Sequence, residues 1–555
     1  MKIYNYEKVS QKIGFADFLP AYLASINYIK PEQRETFSLN IPFFNDESKF
    51  ENLLKEIKET NGKIGFITDY DVDGIMSSTV GLRALRYLRI NVELFVPNRF
   101  KDGYGLSKGL VDKCLEAKCN YILTADNGIV AFDAIEYAYS KGLKVIVTDH
   151  HRPSDKLPKC ELIINSQIPN TSNIKASNVC GALTLFFLFR DILRREKAPE
   201  SFIESLIEYA GIATIADQMP LEYENLKAVK FLNSMYHFHK NKSLALDYLM
   251  KKQFVTAETI SMTDWNFQII PCLNATGRLE DATIAVDLLA TDDLNEIIDK
   301  TNIATTLNSI RKEYSKKYAR LAINYLNVID PNRELKISVV LLKPTKSEQE
   351  TKLEGIIGLV AQALVEEYER PAFVGIEYEK DGKKAIKVSG RSYGDFDLYN
   401  FIKEHETEVR IQSYGGHAGA MGLNFENILN YKHFNYILNS KNINLNISIP
   451  EEQYIKLPIN ADLNEIYKIV KKNGPYGQGF EKPMFIINAE LMNYTAFSSI
   501  IKNFECKIFG NVYKCKSFSK DVRFENIVNK KIYFSFEESK NGFELEVLKM
   551  EEEDK

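Results

Sequence analysis

The chain has 555 residues, more than one hydrophobic core usually serves, so two to four domains are expected. With 45% hydrophobic and 26% charged residues, its composition is ordinary for a soluble globular protein. The formal charge of −4 argues mildly against a nucleic-acid binder, but a local groove rather than the whole-chain sum steers a polyanion, and acidic metal ligands pull the total down.

Residues 1–60 are weakly patterned. A regular alternation follows. Lys63–Thr68 reads as a strand, Ile75–Leu88 as a helix, Val92–Val96 as a strand and Leu106–Ala117 as a helix. Tyr121–Thr124 is a strand, Ile129–Ser140 a helix, and Lys144–Thr148 and Glu161–Asn165 are strands. Strands alternating with helices of this length predict a parallel sheet covered on both faces. Helical patterns fill Val179–Asp217 and Ile284–Tyr325. In the latter, Lys312, Lys316 and Arg320 recur every four residues, which puts three cations on one face, either a solvated surface or a wall along a phosphate backbone. After a boundary near 325–335 a second alternation appears: a strand from Lys336, a helix over Gly355–Glu367, and strands over Ala372–Glu377 and Lys384–Ser389. From about 450, short strand-like pieces such as Lys482–Asn488 and Lys531–Phe536 suggest a small β-barrel.

The seven cysteines are odd in number and show no CxxC spacing, which argues against a disulfide framework or a zinc ribbon. MKIYNYEKVSQKIGF has no apolar signal core, and the longest strongly apolar run, Ala182–Phe189, is too short to span a bilayer. A cytoplasmic protein without membrane attachment is expected.

Three predicted strands end in aspartate. ITDYDVDG supplies Asp69, Asp71 and Asp73; LTADNG supplies Asp126; VTDHH supplies Asp149, His150 and His151. In an open α/β sheet, ligands bind outside the carboxyl ends of the strands, so these groups should converge. Uncompensated carboxylates at this density repel, and a divalent cation resolves the repulsion. Carboxylates with one or two imidazoles suit Mn²⁺ or Mg²⁺, and two ions about 3.5–4 Å apart clamp both oxygens of a phosphoryl displacement. Asp126 is the candidate bridge between the clusters. A DxD, a His pair or an Asp after a strand is commonplace alone; the three at successive strand ends are not.

The ordered strings DYDVDG, DNG and DHH resemble the signature of the DHH superfamily of phosphoesterases. The resemblance implies Asp71, Asp73, Asp126, His150 and Asp217 (in IATIADQMPL) as metal ligands for two Mn²⁺ or Mg²⁺ ions. It implies Asp69 and Asp149 as groups orienting them, and His151 nearest the substrate phosphate, as an acid. YGGHAGAMG is similar to the substrate-binding motif of the DHH-associated domain: Gly415 and Gly416 permit close approach of an oxyanion and His417 can donate to it. Ser389 and Arg391, in KVSGRSYGDFD, would clamp another phosphate.

LNATGRL, LNSIRK, GIIGLVA and GPYGQGFEKPMF resemble the RecJ-type group within that superfamily, the first bringing Asn274 and Arg278 near the scissile phosphate. Arg99 and Tyr104 are placed to contact the end nucleotide. Leu353-Glu354 stands where many relatives carry Trp-His, and Cys272 where arginine is frequent; Glu354 would repel a phosphate. The fold implied is a DHH catalytic domain with a parallel sheet (1–300, with an N-terminal extension), a connecting helix (301–330), a DHH-associated α/β domain (331–445) and an OB-like barrel (446–555). The activity implied is 5′-to-3′ exonucleolytic hydrolysis of single-stranded DNA to 5′-mononucleotides in repair and recombination. The enzyme would be a monomer, with a single-strand-binding protein and a helicase as possible partners. The alternatives are a DHH oligoribonuclease or cyclic-dinucleotide phosphodiesterase, disfavoured by the third domain and long helix, and a non-catalytic DNA-binding scaffold, disfavoured by the complete ligand set.

Overall fold

The computed structural model describes residues 2–6, 14–30, 34, 44–169, 171–176, 178–238, 242–343, 350–380, 383–440, 445, 447–449, 451–458, 460–496, 502–519, 522, 529–539 and 542–552. A strand, β1 (Lys2–Asn5), and a helix, α1 (Phe15–Ile26), come first, followed by helix α2 (Glu47–Glu59). The alternation then runs β2 (Lys63–Ile67), α3 (Val72–Tyr87), β3 (Asn91–Phe95), α4 (Lys108–Glu116), β4 (Tyr121–Thr124), α5 (Phe132–Ser140), β5 (Lys144–Asp149) and β6 (Leu162–Asn165). Strands β2–β6 form one parallel sheet in the order β3-β2-β4-β5-β6. Strands β2, β4 and β5 are almost wholly buried, as a sheet covered on both faces requires. The chain steps outward from β2 to β3 and then returns to β4 on the other side. The strand order therefore reverses between β2 and β4, where a ligand crevice opens in such sheets.

Helices α6 (Gly181–Arg195), α7 (Glu200–Ala216), α8 (Tyr223–His237) and α9 (Leu244–Lys252) follow. Ala182–Phe189 is apolar all round because α6 is enclosed, not because it meets lipid. Among the described residues no helix is long and apolar enough to cross a membrane. A π-helical turn, Trp265–Ile269, leads into α10 (Ile270–Leu279), then α11 (Thr283–Ala290) and the 36-residue α12 (Leu294–Ile329), about 54 Å long. Asp293 caps α12 by accepting from the amides of Asn295 and Glu296. Lys312, Lys316 and Arg320 lie exposed along it.

The next unit comprises β7 (Ser338–Leu342), α13 (Ile357–Tyr368), β8 (Ala372–Lys380), β9 (Lys383–Arg391), α14 (Leu398–Glu404), β10 (Ser413–His417), β11 (Ala420–Phe425) and α15 (Ile428–Leu438). Its sheet, β10-β11-β9-β8-β7, is antiparallel except for β7 and β8. Last come β12 (Gln453–Lys456), α16 (Leu463–Asn473), β13 (Phe485–Ala496), β14 (Lys502–Ile508), β15 (Asn511–Ser517), β16 (Asn529–Ser539) and β17 (Gly542–Glu552). β13 pairs with both β14 and β16, so β13-β14-β15-β17-β16 closes into the OB-like barrel.

The N-terminal residues differ from expectation. β1 does not extend the catalytic sheet; it pairs in parallel with β12 beside the barrel. Phe15, Phe18, Leu19 and Leu23 of α1 share a core with Leu463, Phe480, Phe485 and Phe534. An apolar face is buried wherever a complementary one waits, whatever the separation in sequence. Arg34 fastens this unit to the catalytic domain. Its guanidinium lies 3.6 Å from the centre of the Phe480 ring and donates to the carbonyls of Leu221, Asn473 and Pro475.

Candidate metal centre

The centre sits at the strand-order reversal. Beyond β2 the chain turns tightly through Asp69 into α3; a Cβ at Gly74 would lie 2.1 Å from the Asp69 carbonyl oxygen, so only glycine fits. The Asp71 carboxylate caps α3, accepting from the Gly74 amide at 3.2 Å. Asp73, two residues on, is buried and accepts from the amides of Gly181 and Ala182 at 2.6 and 2.9 Å, at the N-terminus of α6. Asp126 follows β4 with φ 62°, a left-handed conformation that Asp and Asn tolerate better than most residues. Asp149 ends β5 and both its oxygens are occupied: Oδ1 accepts from the His150 and His151 amides and meets His151 Nδ1 at 2.8 Å, and Oδ2 accepts from the Ile129 amide.

His150 Nε2 is the hub. It lies 3.0 Å from Asp126 Oδ1, 3.5 Å from Asp217 Oδ2 and 3.6 Å from Asp73 Oδ2. Ligand atoms fall into three groups, each within 4.8 Å: Asp69, Asp71 and Asp126; Asp73, His150 and Asp217; and Asp126, His150 and His151. Asp126 thus stands between an all-carboxylate cluster and a mixed one. The fit to cations is testable from the atoms themselves. Asp69 Oδ1, Asp126 Oδ1 and His150 Nε2 are buried with no hydrogen-bond partner, the short Asp126–His150 approach being misaligned for one. Three orphaned lone-pair donors aimed into one space fit hard divalent cations such as Mn²⁺ or Mg²⁺.

Charge is stored accordingly. Burial, then mutual repulsion, raises Asp69, Asp126 and Asp217 well above the usual carboxylate range. Burial lifts Asp73 to about 6 against its two amide donors. Burial, with the neighbouring His151 cation, depresses His150 to about 3, so its imidazole is neutral and free to ligate. For His151, burial is outweighed by the hydrogen bond and charge of Asp149, with Asp217 and Asp69 behind, and its pKa rises to about 9. Burial also opposes ionisation of Asp149, yet the His151 contact holds it below its ordinary value. Tyr104, half exposed, places its hydroxyl 3.1 Å from His151 Nε2 and donates to the Asp126 carbonyl at 3.3 Å.

Opposite the carboxylates lies a cationic wall shared by two domains. Arg99 stacks 4.1 Å over Tyr70. Arg278, on α10, donates to the Gly355 carbonyl at 3.2 Å; burial, then Arg99, Arg391 and Arg311, lowers its pKa to about 9. Arg391 donates to Ser389 Oγ and the Gly390 carbonyl, and is lowered by burial and by Arg99. His417 is lowered by burial, then by Arg391 and His151, so the second domain faces the centre. Gly416 there has φ 135° and Gly415 is open to solvent. Asn274 is half-buried on α10. Glycines set the closeness: a Cβ at Gly355 would lie 1.7 Å from the Arg278 carbonyl oxygen, and one at Gly277 2.3 Å from that of Tyr70. The repulsion expected of Glu354 does not arise, because Lys387 pairs with it. Cys272 is buried and its thiol is pushed up to about 12, away from reactivity.

Two residues at the centre escaped the sequence reading. The Asn178 amide lies 3.3 Å from His150 Nδ1 and donates to the His150 carbonyl, orienting the ring. Arg311, its Nε fixed on Asn308 Oδ1 at 3.0 Å, completes the arginine group beside Arg278. Asn178 precedes the helix whose amides hold Asp73, and Arg311 falls within LNSIRK; those positions were the available signals.

Residues 63–216 match the DHH family, N-terminal domain, and residues 335–441 the DHHA1 domain. Single-stranded-DNA-specific exonuclease RecJ of Haemophilus influenzae is 29% identical over 457 residues, 78% of this chain and 76% of that protein. The Escherichia coli protein of the same name is 29% identical over 443 residues, 76% of this chain and 74% of that protein. The structure of Thermus thermophilus RecJ with Mn²⁺ matches with a TM-score of 0.77 at 22% identity, over 98% of this chain and 76% of that one. A manganese-bound exonuclease RecJ is 26% identical with a TM-score of 0.60, over 73% of this chain and 95% of that one. With both domains matched in this order and the barrel and linking helix in place, the chain carries a DHH-family N-terminal domain and a DHHA1 domain arranged on the RecJ-like plan.

Proposed function

We propose that the chain is a metal-dependent exonuclease that hydrolyses single-stranded DNA from its 5′ end and releases 5′-mononucleotides. The observation that carries this is one cleft with orphaned carboxylate and imidazole atoms on one wall and arginines from two domains on the other. Asp71, Asp73, Asp126, His150 and Asp217 would hold two Mn²⁺ or Mg²⁺ ions, with Asp126 between them. The free Oδ1 of Asp69 supports a ligand role for it too, in place of the orienting role expected. When bound, such ions neutralise phosphoryl charge and ionise water near neutral pH.

The chain's own groups do the rest. Asp149 accepts four N–H groups and holds His151 as a cation. His151 donates to a phosphate oxygen and supplies a proton to the departing one. Arg278, Arg391, Ser389, Gly415, Gly416 and His417 bind the terminal phosphate and so fix the cut one nucleotide from the end. Arg99, Tyr104 and Asn274 hold that nucleotide. A role in repair and recombination belongs to the reading, as do a monomeric state and a cytoplasmic location, the latter supported by seven unpaired cysteines. So does cooperation with a helicase and a single-strand-binding protein, since an enzyme for single strands needs them exposed.

The test is Asp126→Ala on end-labelled single strands, with duplex DNA and dinucleotides alongside. Mn²⁺-dependent release of mononucleotides from long single strands should vanish in the variant. Wild-type protein that cuts only dinucleotides, or a variant as active as wild type, refutes the assignment.

A further inference from the structure

One large ring near the centre is left without a packing role. Phe267 is 71% exposed, while Trp265 and Ile269 in the same turn are fully buried. That turn is π-helical, a local distortion found frequently at functional sites. Through α10 the positions Cys272, Leu273, Ala275, Thr276, Gly277 and Leu279 are buried. Phe267, Pro271, Asn274 and Arg278 are at least partly open and follow at steps of four, three and four, which aligns them in one stripe; Asn266 and Gln268, also partly open, flank Phe267 in the π turn.

The stripe passes the carboxylates. At its far end Arg278 feels the Asp71 charge and Gly277 touches Tyr70. At its near end Asn266, next to Phe267, accepts from Gln218 Nε2 at 3.1 Å, and Gln218 follows Asp217. The stripe therefore runs from the Asp71 side of the centre to the Asp217 side. Beyond it, Met262 and Thr263 line a cleft of about 410 Å³ between the catalytic domain and the barrel, with Lys230 and Lys482.

We propose that Phe267 is a base-stacking platform for the bound strand, downstream of the phosphate being cut; this rests on the exonuclease reading. The eleven helical rises from Phe267 to Arg278 span about 16 Å, or about five steps of stacked strand at 3.4 Å each. An aromatic face accepts any base, as an enzyme that consumes arbitrary sequence requires, and it grips only strands long enough to reach it.

The experiment compares the full-length wild type, Phe267→Ala and Phe267→Trp. Affinity for 20-nucleotide and 3-nucleotide single strands is measured in EDTA, together with their hydrolysis in Mn²⁺. Phe267→Ala should weaken 20-mer binding about 5- to 150-fold and leave trinucleotide hydrolysis unchanged, and Phe267→Trp should restore binding. A 2-aminopurine about five nucleotides from the 5′ end should be quenched by the wild type and not by Phe267→Ala. Unchanged 20-mer binding, or equal loss on both lengths, overturns the platform. Wild-type protein inactive on both lengths overturns the exonuclease reading instead.

Discussion

Removing divalent cations should destabilise the protein, and more so as the pH rises. The rise of Asp73 from an ordinary 3.8 to about 6 means that the metal-free native state keeps a proton the unfolded chain has released. Stability from this group therefore falls as pH climbs between about 4 and 6, in total by about 3 kcal/mol. Asp69, Asp126 and Asp217, raised further, carry the same trend to higher pH. His150 works the other way: its depressed pKa costs stability as pH falls below 6.5. Cation binding needs deprotonated carboxylates and relieves their repulsion, so its benefit is greatest where Asp73 is ionised. For an unfolding unit the size of the catalytic domain, at ~2–4 °C per kcal/mol, relief of that about 3 kcal/mol by Mn²⁺ should raise the melting temperature of the catalytic domain by on the order of 10 °C at pH 7.5 and distinctly less at pH 5.5. Scanning fluorimetry in EDTA and in Mn²⁺ at both pH values measures this. A rise at pH 5.5 as large as that at pH 7.5 would refute the account of the centre as a store of repelling carboxylates.

Two further substitutions probe the supports. Asn178→Ala should free the His150 ring and lower Mn²⁺ affinity about 10- to 100-fold; calorimetric titration measures it, with activity returning at saturating Mn²⁺. Gly355→Ala places a Cβ against the Arg278 carbonyl. It should cost about 1–3 kcal/mol in a urea melt and raise KM, because the two walls of the cleft are wedged apart.

The catalytic half was legible because its signals are local. Apolar runs bounded by turn residues gave the strands of the parallel sheet to within a residue or two, and the convergence of the aspartates that follow them comes from the strands being parallel. Helix starts were less accurate. α3 begins at Val72, ahead of the apolar periodicity, because the Asp71 carboxylate caps it and draws Asp73 into the first turn. The π turn at Trp265 leaves no trace in a 3.6-residue pattern. Pairings between distant residues were invisible: Glu354 looked like a repulsive charge until the fold set Lys387 beside it, and nothing local ties Asn178 to His150, 28 residues before it. The short β1 carries too few residues to announce a partner at the other end of the chain.

That pairing has a consequence for biosynthesis. Tyr4 hydrogen-bonds Gln453, 449 residues further on. At ~5–20 residues per second the ribosome needs roughly 20–90 s to deliver the partner strand. Throughout that interval the apolar side of α1 has no core to enter, while the catalytic sheet can already assemble. The segment around Phe15–Leu23 therefore waits for its apolar partners until β12 and the barrel strands have been made, and its docking onto them follows assembly of the catalytic sheet.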